Sequence, residues 1–198
     1  MITQLSTVKS RLALTVTDYD GLLTAAIKAI STRFDKETNR TLARSTGLTD
    51  EFSATDTEVP VSCFPIESVT KWETKSNETD GWIEQTNVQY LVRRACVISL
   101  QSPINSQPSA LNPQPLLARV TYTGGYVLPG DTPAAGQTAL PDDLEQAAVE
   151  QVAYWFRNRE KTGLIRSGPT SGIFDTFLQS DLLLEVRAVL KRYQRFSL

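Results

Sequence analysis

Residues 141–162, PDDLEQAAVEQVAYWFRNREKT, constrain this chain more than any other stretch, because only a long amphipathic helix suits them. Pro141 fits the first helical position, where its missing N–H costs nothing, and Asp142 and Asp143 set negative charge against the positive end of the helix dipole. Leu144, Ala148, Val152 and Trp155 recur at helical spacing, and Ala147, Val149 and Phe156 widen the stripe into an apolar face. Arg157, Arg159 and Lys161 place positive charge in the last turn, and Gly163 supplies a left-handed stop. Such a rod, roughly 30 Å long, holds its shape chiefly by burying that face. The rest of the chain must furnish the surface it packs on.

Two helices are expected ahead of it. Leu5, Val8 and Leu12 recur at spacings of three and four and mark a short helix over about 3–14. Asp18 or Asp20 can cap a longer one over about 20–43, whose buried face is Leu23, Ile27, Ile30 and Phe34. Its other side carries Arg33, Lys36, Arg40 and Arg44 at spacings of three, four and four, one basic stripe if the helix persists that far. Glu37 stands within a turn of Arg40. The stripe reads either as an ordinary solvated face or as a surface for phosphate or a partner protein.

From residue 48 the texture turns to β. Segments 58–64, 66–74, 88–92, 95–100 and 116–123 are rich in Val, Ile, Thr, Tyr and Trp and read as strands, with KSNETDG at 75–81 as a polar turn. Residues 102–115 hold four prolines among small polar residues and cannot build a core, so they read as a mobile arm, as do residues 128–139. Both loops are expected to order, at least partly, on assembly. Residues 163–177 read as irregular and Gly-rich. A last helix is expected over about 182–196, capped by Ser180 or Asp181, with Leu183, Val186, Leu190 and Tyr193 inward and Arg187, Lys191, Arg192 and Arg195 making its other side basic. The expectation is a single α+β domain over residues 1–198, mainly helical: a core of about four helices with a small β module inserted at about 48–126.

Chemistry is hard to place on this chain. It has no histidine, the commonest general base and transition-metal ligand. Cys63 and Cys96 lie in apolar strand-like segments and read as two buried small hydrophobes. Gly124 and Gly125 follow a strand, but no phosphate-loop pattern follows them, so they read as a turn. Asp142 and Asp143 point about 100° apart on a helix and do not share a metal easily. Tyr154 and Trp155 read as core. The expectation is no enzyme, no cofactor and no metal site. A net charge of −2 also excludes bulk polyanion binding, leaving only local basic patches for nucleic acid. No apolar run is long enough for a membrane span, and Lys9 and Arg11 interrupt the N-terminal stretch where a signal peptide is apolar.

The order of these segments, TVKSRLAL, YDGLLTAAIKAI with TNRTL, FPIESVTKW, then VTYTGGY ahead of LPDDLEQAAVEQVAYWFRNRE, resembles the head–tail connector proteins, also called adaptor or head-completion proteins, of long-tailed double-stranded DNA bacteriophages. The resemblance spans about residues 5–160 and is sharpest at Val120–Tyr126 and Pro141–Glu160. It implies a virion protein, assembled in the host cytoplasm into a ring of about a dozen copies at the neck, beneath the portal. Such a ring extends the DNA channel and offers a platform to a stopper or tail protein, with no membrane involved. It also implies that Arg33, Lys36, Arg40, Arg44, Lys191, Arg192 and Arg195 are candidates to face the lumen, the genome or acidic partner groups. The rivals are a nucleic-acid-binding module using the first four of these, and another neck or tail component such as a stopper or tail terminator.

Overall fold

The computed structural model describes residues 1–104, 117–161, 166–167, 175–176 and 181–195. Among them are four α-helices: α1 (Leu5–Leu12), α2 (Asp20–Thr38), α3 (Asp142–Arg157) and α4 (Leu184–Arg192). Nine strands stand between α2 and α3: β1 (Ser45–Ser53), β2 (Glu58–Pro60), β3 (Ile66–Lys75), β4 (Ile83–Gln85), β5 (Tyr90–Arg93), β6 (Val97–Leu100), β7 (Leu117–Gly124), β8 (Tyr126–Val127) and β9 (Thr138–Ala139). The backbone of Arg166–Ser167 also pairs with Asp175–Thr176. About 33% of the described residues are helical and 29% are in strands, which corrects the expectation of a mainly helical protein. The cause is local. Every expected long helix stops four or five residues early, and polar segments with no apolar alternation are recruited as strands by their neighbours.

The chain forms two compact units: residues 1–38, 128–130 and 140–194, and residues 39–127, 131–139 and 195–198. In the helical unit the face of α2 is the expected one, with Leu23, Ile27, Ile30 and Phe34 all fully buried. On α3 the buried stripe runs through Leu144, Ala148, Val152 and Phe156, so Phe156 occupies the place expected of Trp155, which with Tyr154 is only half-buried. Pro141 is the residue before the helix, its carbonyl accepting the N–H groups of Leu144 and Glu145 at 3.0 and 3.3 Å. After Arg157 the chain tightens into a 3-10 turn at Arg159–Lys161. There the Arg159 side chain donates to the Phe156 carbonyl at 2.7 Å, closing the helix end. Gly163, the expected stop, lies outside the described residues, as do 105–115 of the expected Pro-rich arm.

Helix α4 has no side-chain cap of its own. Gln151 of α3 does that work: fully buried, it accepts the Leu183 N–H at 2.8 Å and donates to the Asp181 carbonyl at 3.4 Å. Asp181, expected as a cap, instead pairs with Arg33.

In the β unit, β1, β7, β3 and β4 form one antiparallel sheet in that order, and β2, β6 and β5 form a second. Strand β8 pairs in parallel with β9, which lies at the end of the segment 128–139 expected as a loop. The two larger sheets share one core, with Val120 and Tyr122 of β7, Trp72 of β3, Ile98 and Leu100 of β6 and Val59 of β2. Strand β7 is central, and its Ala118, Val120 and Tyr122 alternate inward as a half-buried strand requires.

Candidate functional site

The geometry of the β unit converges on the turn that ends β7. Tyr122 is fully buried, and its hydroxyl donates to Asp50 Oδ2 at 2.7 Å while accepting the Cys63 N–H at 3.0 Å. Ser62 completes the knot, giving both its N–H and its hydroxyl to the same Asp50 oxygen at 2.6 and 3.0 Å. Burial pushes the Tyr122 hydroxyl well above its ordinary pKa, so it stays a donor. Gly124 and Gly125 follow because nothing larger fits. A Cβ on Gly124 would stand 2.7 Å from the Cys63 carbonyl, and one on Gly125, at φ +101, 2.7 Å from the Ala43 carbonyl. Tyr126 then enters the next ladder, trading backbone hydrogen bonds with Leu42 and Arg44, each at 2.8 Å.

Against this turn lies Arg40, one of the candidate basic residues. Helix α2 ends at Thr38 and Asn39 takes a left-handed φ of 51, so Arg40 and Arg44 leave the helix and the expected stripe of four does not form. Arg40 is 4% exposed. Its guanidinium sits 3.2 Å over the Phe64 ring and 5.1 Å from that of Tyr126, and among the described residues none of its nitrogens meets an acceptor in hydrogen-bonding geometry. Burial pushes its pKa down from the ordinary value, with Tyr126 opposing the shift.

The other candidates are dispersed. Arg33 bridges Glu37 at 2.8 Å and Asp181 at 2.5 Å. Arg44 holds Glu67 through a two-pronged contact at 2.7 and 3.1 Å, which raises the Arg44 pKa and lowers that of Glu67. Arg195 donates to the Pro60 carbonyl at 2.5 Å. Lys36, Lys191 and Arg192 are exposed, with Arg192 3.8 Å from Asp143. Of the cysteines, Cys63 is buried as expected and Cys96 only half-buried.

Sequence reasoning missed two grooves. One, of about 720 Å³ in the β unit, runs beside β1 and β2 and is lined by Glu51, Phe52, Asp56, Glu58 and Pro60 with Arg195. The other, of about 390 Å³ in the helical unit, has an apolar floor of Ala147, Leu183, Val186 and Val189 and a rim on which Arg11 and Glu150 pair at 2.8 Å. The Glu51, Asp56 and Glu58 spacing was the available signal for the first. The second has none, because it depends on where α4 returns. Among the described residues no cluster of three or more His, Cys, Asp or Glu could hold a metal ion, and no helix is long and apolar enough to cross a membrane.

A helical unit and a β unit, with grooves, ion-paired faces and a rigid turn as their prominent features, make up an α+β chain. The model of the head completion protein family matches residues 1–196. The chain is therefore a member of the head completion protein family. Among solved structures it is similar to a chain in the neck of a native gene transfer agent particle, computed with C12 symmetry, at 14% identity and a TM-score of 0.56, covering 98% of this chain and 89% of that one. A chain in the neck of an empty particle, computed with C6 symmetry, matches at 14% identity and a TM-score of 0.55 over 98% and 90%. A chain of the native particle's virion matches at 13% and 0.54, again over 98% and 90%. At these identities the likeness is one of fold. A comparison with the curated proteins finds no match.

Proposed function

We propose that this protein is a structural connector of the virion neck, a ring of about a dozen copies beneath the portal that joins the DNA-filled head to the tail and extends the DNA channel. The observation that carries the reading is the family match across residues 1–196. The neck location of chains with the same fold, in particles with C6 and C12 symmetry, supports the ring. Both units act together as one connector domain over residues 1–198. Portal on one side and a stopper or tail protein on the other are its partners, and it turns over no substrate.

Among the basic candidates, the exposed Lys36, Lys191 and Arg192 suit non-specific contact with genomic DNA or with acidic groups of a partner. Arg33, Arg44 and Arg195 are committed to contacts within the chain, and Arg40 is buried. Without a continuous basic face among the described residues, a free-standing nucleic-acid-binding module has less to recommend it than the connector. Cryo-electron microscopy of virion necks tests the proposal: density for this chain in a closed ring under the portal is the expected result. A chain absent from virions, and monomeric when mixed with portal, would refute it.

A further inference from the structure

The β unit has two rims, and they differ in kind. Strands β1 and β2 are edge strands of their two sheets, and the groove beside them is lined by Glu51, Asp56 and Glu58. That rim is acidic, with Pro60 ending β2 and three exposed carboxylates lining the groove. The edge strands at the other end of the sheet order are β4 and β5. Strand β5 pairs only with β6 among the described residues, in an unbroken register, and all four of its residues are exposed. Leu91 is 73% exposed and Val92 44%, with Ile83 of β4 at 52%. The Tyr90 ring meets Trp72 of β3 at 5.6 Å, so this apolar rim is continuous with the core. No proline, lysine or bulge protects it, and Arg93 and Arg94 follow at its end. Arg93 is held by Glu58 at 2.8 Å, whereas the exposed Arg94 forms no ion pair among the described residues.

We propose that the β5 edge of one copy seats on the acidic β1–β2 rim of the next, covering Leu91 and Val92 and delivering Arg94 to the groove lined by Glu51 and Asp56. Charge selects this occupant. The receiving rim is the acidic one: among the described residues its Arg195 is already engaged with the Pro60 carbonyl and its Glu58 with Arg93, so Glu51 and Asp56 are the carboxylates offered to Arg94. Pairing of β5 with another β5 would set two arginine-ended strands against each other. Symmetry selects it as well. Two unlike faces make a head-to-tail contact that can repeat around a closed ring, while a self-paired strand stops at a two-fold dimer. The extended strand supplies main-chain hydrogen bonds and its alternate side chains supply specificity. This inference rests on the ring reading above.

The test uses the full-length chain, followed by native mass spectrometry and sedimentation over a range of concentrations, alone and with portal. Leu91→Lys and Arg94→Glu are surface changes and should keep the wild-type melting curve, yet weaken ring formation more than tenfold. The double variant Arg94→Glu/Glu51→Arg should regain it, since each interface then carries the reversed pair. Leu91→Lys and Arg94→Glu rings as tight as wild type overturn the proposal, and so do rings that form normally but no longer join portal, because the edge then belongs to portal. A double variant that stays monomeric overturns the assignment of the groove. Failure of the wild-type chain itself to form rings with portal overturns the connector reading, a distinct outcome from the others.

Discussion

Arg40 shows how much a single side chain can be asked to carry. A guanidinium without acceptors in a nearly closed site loses its hydration and gains only ring contacts in return, the Phe64 face being the nearer. Replacing a poorly compensated buried cation by an apolar chain of similar volume is commonly neutral or stabilising. Arg40→Met should therefore unfold in urea at a midpoint equal to or above that of wild type, and a loss of more than about 2 kcal/mol would show that the ring contacts outweigh desolvation. Tyr122 is the opposite case, with every polar atom around it satisfied. Tyr122→Phe keeps the packing but strips Asp50 of a donor and the Cys63 N–H of its acceptor, and should cost about 2–3 kcal/mol. Ala13 offers a gain: it ends α1 at φ 54, a conformation glycine adopts freely, so Ala13→Gly should stabilise the protein by up to about 1 kcal/mol in the same assay.

At the scale of elements, glycines at the end of β7 separate two kinds of constraint. Gly125 combines φ +101 with backbone atoms 2.7 Å from any added Cβ, whereas Gly47 in β1 has φ +65 and open space. Gly125→Ala should cost at least about 3 kcal/mol and Gly47→Ala only about 1, and equal costs by urea unfolding would mean that the close approach at Ala43 is soft. The same turn explains what the sequence could and could not disclose. The inner face of α2 was readable because Leu23, Ile27, Ile30 and Phe34 answer to one period, and β7 because its residues alternate. Strand β1 was unreadable. Its Ser45, Thr46, Gly47, Thr49, Asp50 and Glu51 carry no apolar alternation, and they become a strand because β7 offers a ladder and Tyr122 a partner for Asp50. The basic spacing from Arg33 to Arg44 imitated a helix face across a helix end, which only the left-handed Asn39 reveals. The role of Gln151 is not legible in the sequence because its partners, the backbone groups before α4, lie 30 residues or more away. The groove of the helical unit stayed hidden for the same reason, since its walls come from segments distant in sequence.

For the molecule as a whole, the charge pattern makes pH a discriminating variable. The chain holds 20 lysines and arginines against 22 aspartates and glutamates and no histidine, so no side chain has an ordinary pKa near 6.5. A connector must keep its shape from the cytoplasm to the released particle, and absence of histidine leaves that shape without a switch in the range where compartments differ. Two carboxylates mark where stability should begin to fail. Glu73, 6% exposed, is held below the ordinary carboxylate range by Lys71 at 2.8 Å and then by Arg119 at 2.6 Å, and Glu67 is held down by Arg44. A carboxylate whose folded pKa is depressed contributes stability in full above its unfolded pKa, and that stability is lost as pH falls through the folded value. The melting temperature should therefore be flat between roughly pH 5.5 and 8 and decline steadily below about pH 4.5. Glu73→Gln should lower the plateau, since Lys71 and Arg119 lose their charged partner, and make the acid decline shallower, since one depressed carboxylate no longer takes up a proton. Calorimetry across that range decides the matter: a midpoint that moves between pH 6 and 7, or an acid slope unchanged by Glu73→Gln, would place the pH-sensitive groups elsewhere.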